Sequence, residues 1–250
     1  MAVAYILSRK MKQYCLLTQT HFELNDLEES LIGKMADPGG SDFERDVGTD
    51  ALVRYFKAGI LTQEMIYSCT ISLGDGLSLL LGSGQRSRES YENAMFTSIL
   101  LKIYKAAEDF FDIVMIDVNS GYSDRSMEMI ENADLAVVVL RQGRRMPGEF
   151  IKTGFPFEVR NRFYLFARYS AESRYSLHNM KKLHKCIVRS NSGTVPFDAG
   201  YGDAIDERKV LKYLDGLEPG TDMNDYDGFY AGINDCAEKI YALMRSRREG

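Results

Sequence analysis

Short apolar runs alternate along the chain with longer stretches whose apolar residues recur every three or four positions, as in a parallel sheet built from βαβ crossovers. Candidate strands fall at residues 13–18, 69–73, 77–81, 112–117, 135–140, 163–167 and 193–196. Two of them contain unbroken apolar runs, Ile113-Val114-Met115-Ile116 and Leu135-Ala136-Val137-Val138-Val139-Leu140, which suits strands buried on both faces. Helices are expected at 2–11, 26–34, 49–57, 87–107, 123–132, 176–184 and 225–247. The longest interior one puts Tyr91, Met95, Ile99, Ile103 and Ala106 on one face, which should pack against the sheet. The expected fold is α/β, a mainly parallel sheet with helices on both faces.

Composition narrows this picture. The 250 residues, 45% of them hydrophobic and 27% charged, supply one sizeable core, and no Pro/Ser-rich linker divides them. A single domain over 1–250 is therefore expected; the densest loop signal, residues 36–42, lies too near the start to separate domains. A net charge of −5 and a pI near 5.4 argue against nucleic acid as a partner, since that binding rests on clustered Lys and Arg. Cys15, Cys69, Cys186 and Cys236 form no CxxC pair, and the six-residue spacing of His178 and His184 does not suit helical metal ligands. Reduced core cysteines of a cytoplasmic protein are the expectation. The N-terminal apolar run is shorter than a secretory signal or a membrane span needs.

The sharpest chemical signal is Phe111-Asp112-Ile113-Val114-Met115-Ile116-Asp117-Val118-Asn119-Ser120-Gly121. A buried strand ending in a carboxylate and entering a Gly-containing turn puts Asp117 at the carboxyl edge of a parallel sheet, where α/β proteins bind ligands. There an acid can hold a Mg²⁺-bound water, and Gly121 lets backbone approach a phosphate. The alternative is that Asp117 caps the turn before the helix at 123–132. Arg141-Gln142-Gly143-Arg144-Arg145 follows the next strand and reads either as a phosphate- or partner-facing run or as a solvated loop. The last helix carries Phe229, Ile233, Ala237, Ile240, Tyr241 and Met244 on one stripe and ends in Arg245-Ser246-Arg247-Arg248. That stripe suits a docked helix, with peripheral membrane contact the less favoured reading.

Taken in order, these features resemble the MinD/ParA family of P-loop ATPases, including its CpaE-like relatives that serve pilus and secretion systems. Asp117 to Gly121 resembles the family's Walker B and switch II. Residues 1–10 resemble the helix after its phosphate-binding loop, and Cys15-Leu16-Leu17-Thr18-Gln19-Thr20-His21 with the acidic stretch to Glu28 resembles its second strand and switch I. Phe163 to Tyr169 and Gly193 to Asp198 resemble the two late strands that enclose the base. The resemblance runs from Met1 to about residue 244. It implies ATP and Mg²⁺ as cofactors, with Asp117 on the metal and Asn119, Ser120, Gly121, Arg168, Pro196, Phe197 and Asp198 around the nucleotide. It also implies a homodimer through the nucleotide edge and a role in positioning another assembly.

The departures are as informative. No Gly-Lys-Thr or Gly-Lys-Ser occurs in the chain, and Leu81-Gly82-Ser83-Gly84-Gln85-Arg86 stands in the wrong place to be the phosphate loop. The two switch I aspartates of the family correspond to Gln19 and His21, and its adenine-reading Asn to Ala167. Hydrolysis is therefore expected to be weak or absent, with no catalytic residue assigned. A non-enzymatic scaffold that keeps the partner-binding face is the alternative. The family's strand order puts the loop-bearing strand between the strands at 113–117 and 135–140. Its loss would leave facing unpaired backbone groups at about 1–3 kcal/mol each, so the expectation is that the first strand and loop lie upstream of the sequence as given. Without them, those two strands should either pair directly or stand apart.

Overall fold

The computed structural model describes residues 1–21, 26–32, 47–84, 93–145, 150–151, 161–217 and 228–248. The 36–42 loop, residues 22–25 of the switch I stretch, Gln85 and Arg86, the expected helix start at 87–92 with Tyr91, and the start of the last helix at 225–227 lie outside them. The elements are α1 (Ala2–Arg9), β1 (Cys15–Gln19), α2 (Asp26–Ile32), α3 (Gly48–Lys57), α4 (Gln63–Ser68), β2 (Ile71–Gly74), β3 (Leu77–Leu80), α5 (Ala94–Ala107), β4 (Ile113–Asp117), α6 (Asp124–Glu131), β5 (Ala136–Arg141), β6 (Arg162–Tyr169), α7 (Leu177–Leu183), β7 (Ser192–Pro196), α8 (Ala199–Asp206), α9 (Val210–Gly216) and α10 (Phe229–Arg248). They divide into two compact units: residues 3–129 with Met1 and 204–211, and residues 130–203 with Ala2 and 212–250.

The first unit holds a four-stranded sheet in the order β2-β3-β1-β4. β1 runs parallel to both β3 and β4, and β2 closes the far edge antiparallel to β3. A tight turn makes that hairpin: Gly74, Asp75 and Gly76 all take positive φ, and Arg9 of α1 forms an ion pair with Asp75. The core joins Leu16 and Leu80 of the sheet to Leu52 of α3 and to Phe96, Ile99, Leu100 and Ile103 of α5. Asn93 caps α5 by accepting from the Met95 N–H at 2.8 Å, so this helix begins at Ala94. Its buried face runs through Phe96, Leu100, Ile103 and Ala107, and Met95 is exposed, which corrects the expected stripe. Ile99 and Ile103 belong to the buried face and Ala106 packs partly buried against the same core, so Met95 is the described residue that departs from the expected stripe.

The second unit holds a parallel three-stranded sheet in the order β5-β6-β7. Tyr164 and Phe166 of β6 meet Met180 of α7 and Ile187 on one side. On the other, α10 lies along β7 with Ile233, Cys236, Ala237 and Ile240 buried, so the terminal stripe docks on the sheet. Two glycines permit the close approach: a Cβ on Gly193 would meet Cys236, and one on Gly232 would meet the Thr194 carbonyl oxygen.

Among the described residues β4 ends the first sheet, hydrogen-bonded to β1, and β5 ends the second, hydrogen-bonded to β6. Asp117 thus lies at the carboxyl end of an edge strand among the described residues, not of an interior one.

Candidate functional site

At the carboxyl edge of the first sheet, ladder register puts Gln19 of β1 opposite Asp117 of β4, and the Thr20 N–H extends the pairing by donating to the Asp117 carbonyl at 2.8 Å. The chain therefore turns out of both strands at one level. The Asp117 carboxylate is exposed, and His21 Nε2 stands 3.7 Å from its Oδ1. Gln19 and His21, the switch I positions of the resemblance, thus lie at the same strand end as Asp117.

Gln19 does not face solvent. Its Nε2 donates to Glu28 Oε1 of α2 at 3.0 Å, and the Gly82 N–H after β3 donates to the same oxygen at 2.5 Å. Glu28 is only 5% exposed. Burial raises its pKa above the usual carboxylate value, the two hydrogen bonds pull the other way, and neighbouring Glu29 raises it slightly further. This buried carboxylate ties together the ends of β1 and β3. Sequence reasoning passed over it because its partners are 9 and 54 residues away. The only available signal was an acid in the first turn of a helix whose neighbours Leu27 and Leu31 are apolar.

The described part of the Gly-rich stretch after β3 is also occupied from within. Asp50 of α3 accepts from Ser83 Oγ at 2.6 Å and from the Gly84 N–H at 2.9 Å. With the Gly82 N–H held by Glu28, these donors turn to protein carboxylates rather than outward.

After β4 the turn passes through exposed Ser120 and Gly121, whose φ of +112° favours glycine. A Cβ there would meet nothing within 4 Å, so Gly121 is required by backbone conformation and not by crowding. Asn119 contributes its carbonyl, which accepts from Ser126 Oγ at 3.3 Å. The cap of α6 is Ser123, whose Oγ accepts from the Ser126 N–H at 3.3 Å. The hydrogen bonds thus give that role to Ser123, and Asp117 is left facing solvent and His21.

The second unit carries the other residues singled out. A register shift between Ala167 and Tyr169 puts Arg168 in the left-handed region, φ +52°, at the carboxyl end of β6. Its guanidinium lies 4.8 Å from the ring centroid of exposed Phe197, just beyond Pro196 at the end of β7. Asp198 has a structural task. Its Oδ1 accepts from the Tyr201 N–H and the Tyr213 hydroxyl, both at 2.6 Å, and so caps α8 and ties it to α9. In the basic run after β5, Gln142 clamps the loop following β6 through Ser170 and Tyr175, while Arg141 stays exposed.

The fit to Mg²⁺ and a nucleotide is partial. Asp117 is a suitable exposed carboxylate, and Arg168 and Phe197 form a cation–π pair at carboxyl strand ends. No group of three or more His, Cys, Asp or Glu converges as a metal set among the described residues. Cys15, Cys69 and Cys236 are buried and Cys186 is exposed, with burial pushing the Cys15 and Cys236 thiols up to about 12. No helix among the described residues is long and apolar enough to cross a membrane.

Mainly parallel strands flanked by helices, with Asp117 and the Arg168–Phe197 pair at carboxyl strand ends, define a MinD/ParA-type P-loop ATPase fold, and solved structures agree. A ParA family ATPase from Chlorobium tepidum superposes with a TM-score of 0.68 at 14% identity, over 95% of this chain and 89% of that one. The cell division ATPase MinD of Pyrococcus furiosus gives 0.67 at 14% identity over 97% and 91%. MinD in the Aquifex aeolicus MinC:MinD complex gives 0.63 at 15% identity over 96% and 88%. At such identities the likeness establishes the fold. No family model and no curated protein matches the sequence.

Proposed function

We propose that this chain is a MinD/ParA-like protein that positions or regulates a partner assembly, a pilus or secretion machine being the favoured case, with nucleotide hydrolysis weak or absent. Its two units act together as one domain in the cytoplasm. The observation that carries the reading is the arrangement at Gln19: where the family resemblance implies an acidic switch I, the amide turns inward to Glu28. Neither it nor His21 supplies a second carboxylate beside Asp117. An attacking water would lack the charge that activates it.

In this reading Asp117 would hold Mg²⁺, and Asn119, Ser120 and Gly121 would border the phosphates. Arg168, Pro196 and Phe197 would border the base, with Asp198 fixing the loop behind them. ATP and Mg²⁺ would supply a binding signal rather than a cleavage step. The same edge would form a homodimer, as the resemblance implies. MinD in a complex with MinC and MinD holding Mg-ADP are among the structural neighbours, which supports a protein partner and a nucleotide ligand for this fold. The second reading, a scaffold that binds no nucleotide, is favoured by the absence of any Gly-Lys-Thr or Gly-Lys-Ser from the chain.

Calorimetric titration of the 250-residue chain with ATP and Mg²⁺ separates these readings. The expected result is weak binding without phosphate release. A micromolar dissociation constant accompanied by turnover would overturn the loss of hydrolysis, and no binding at all would favour the scaffold.

A further inference from the structure

Acidic residues are missing from one long stretch of an otherwise acidic chain. The sequence holds 36 Asp and Glu among 250 residues, yet none falls between Ser173 and Phe197, where Arg174, Lys181, Lys182, Lys185 and Arg189 all stand. This stretch contains α7, the turn after it and β7, so the turn lies at the amino end of β7, opposite the edge that carries Arg168 and Phe197.

The turn is built rather than loose. Asn191 closes it from both sides, its Oδ1 accepting from the Val188 N–H at 2.8 Å and its Nδ2 donating to the Cys186 carbonyl at 2.9 Å. Ser192 Oγ donates to the Val188 carbonyl at 2.5 Å, and Ile187 is buried beneath. With Ile187 anchored, Val188 and Arg189 face outward, Val188 being 47% exposed and Leu183, at the end of α7, 58% exposed. From α10, Lys239 reaches the same edge, donating to the Ser192 carbonyl at 3.2 Å. Asp235 of α10 is bridged by Lys239 at 2.6 Å. Partial burial, together with Lys239 and Arg189, lowers the pKa of Lys181, in keeping with cations from three elements converging.

We propose that this amino edge of the three-stranded sheet, with Leu183 and Val188 set among Lys181, Lys182, Lys185 and Arg189, docks on an anionic lipid bilayer. Clustered lysines meet the negative surface potential of acidic headgroups, and two exposed aliphatic side chains enter the boundary below them. Nucleic acid fits less well. Residues 181–191 include no Phe, Tyr or Trp on which a base could stack, and Leu183 and Val188 would gain nothing from a phosphate backbone. The contact is separate from the C-terminal helix, whose apolar stripe is already buried against β7.

The test is co-sedimentation of the full chain with vesicles of phosphatidylcholine alone and of phosphatidylcholine with a minor fraction of phosphatidylserine. Partitioning onto the serine-containing vesicles only, weakened by added salt, is the expected result. Lys181→Gln with Arg189→Gln should reduce it roughly thirtyfold, from about a factor of five per cation near an acidic surface. Leu183→Ser with Val188→Ser should reduce it as well while leaving the salt dependence in place, and both variants should keep the parent melting profile. Equal binding to both vesicle types, no binding, or binding unchanged in the charge variant would overturn the proposal. Retention by duplex DNA in preference to the serine vesicles would overturn it in favour of a nucleic acid partner.

Discussion

Strand β5, Ala136-Val137-Val138-Val139-Leu140-Arg141, is more apolar than strand β1, Cys15-Leu16-Leu17-Thr18-Gln19, yet it is the less buried. Every residue of β1 is buried, including Thr18 and Gln19, whereas β5 alternates, with Val137 39% and Val139 63% exposed. The difference follows from neighbours. β1 has a parallel strand on each side and lies under the α3–α5 layer, while β5 pairs only with β6 among the described residues and packs Val138 and Leu140 on one side. A continuous apolar run marks a strand reliably, but how deeply it sits depends on what pairs with its edges.

The comparison can be broken most directly at Leu16. Leu16→Ala removes a fully buried side chain from the middle of its sheet and should cost about 2–5 kcal/mol in urea unfolding. If Val139→Ala costs as much, the contrast between the strands is wrong. Next in size is the polar end of β1. Glu28→Ala leaves the Gln19 amide and the Gly82 N–H without their shared acceptor, at about 1–3 kcal/mol for each group left buried. Glu28→Gln keeps an acceptor oxygen and removes the charge. Because the folded pKa of Glu28 is raised, its contribution to stability is full below the ordinary carboxylate range and is lost as pH rises through the folded pKa. Glu28→Gln should therefore melt higher than the parent at neutral pH, and the gap should close as the pH falls; a gap that widens in acid would show the assignment reversed. The smallest effect belongs to β5. Val139→Thr, on its exposed side, should stay within about 0.5 kcal/mol of the parent.

All seven strands lie within about two residues of where the hydrophobic pattern puts them, because each apolar run is bounded by polar or glycine residues. The short helices α4, α8 and α9 were not legible. In α8, Ala199-Gly200-Tyr201-Gly202-Asp203-Ala204 reads as loop, and the helix there depends on the Asp198 cap and on Tyr213 across from it. At the site, Gln19 and His21 were set at the switch I positions by the family resemblance, and their closeness to Asp117 comes from the parallel ladder of β1 and β4. The link from Glu28 to Gly82 was hidden, because its partners stand 54 residues apart and no local pattern records it. Asp198 was read as a ligand residue, and its hydrogen bonds make it a helix cap, a role that its place just ahead of α8 would have suggested had that helix been recognised.

The unequal burial of the four thiols has a practical side. With Cys15, Cys69 and Cys236 enclosed and two of them held protonated at neutral pH, ordinary maleimide chemistry on the folded protein selects Cys186. That residue sits in the Asn191-clamped turn, beside buried Ile187 and within three positions of Arg189. The native chain thus carries its own single attachment point for a fluorophore, on the surface whose contacts most need watching.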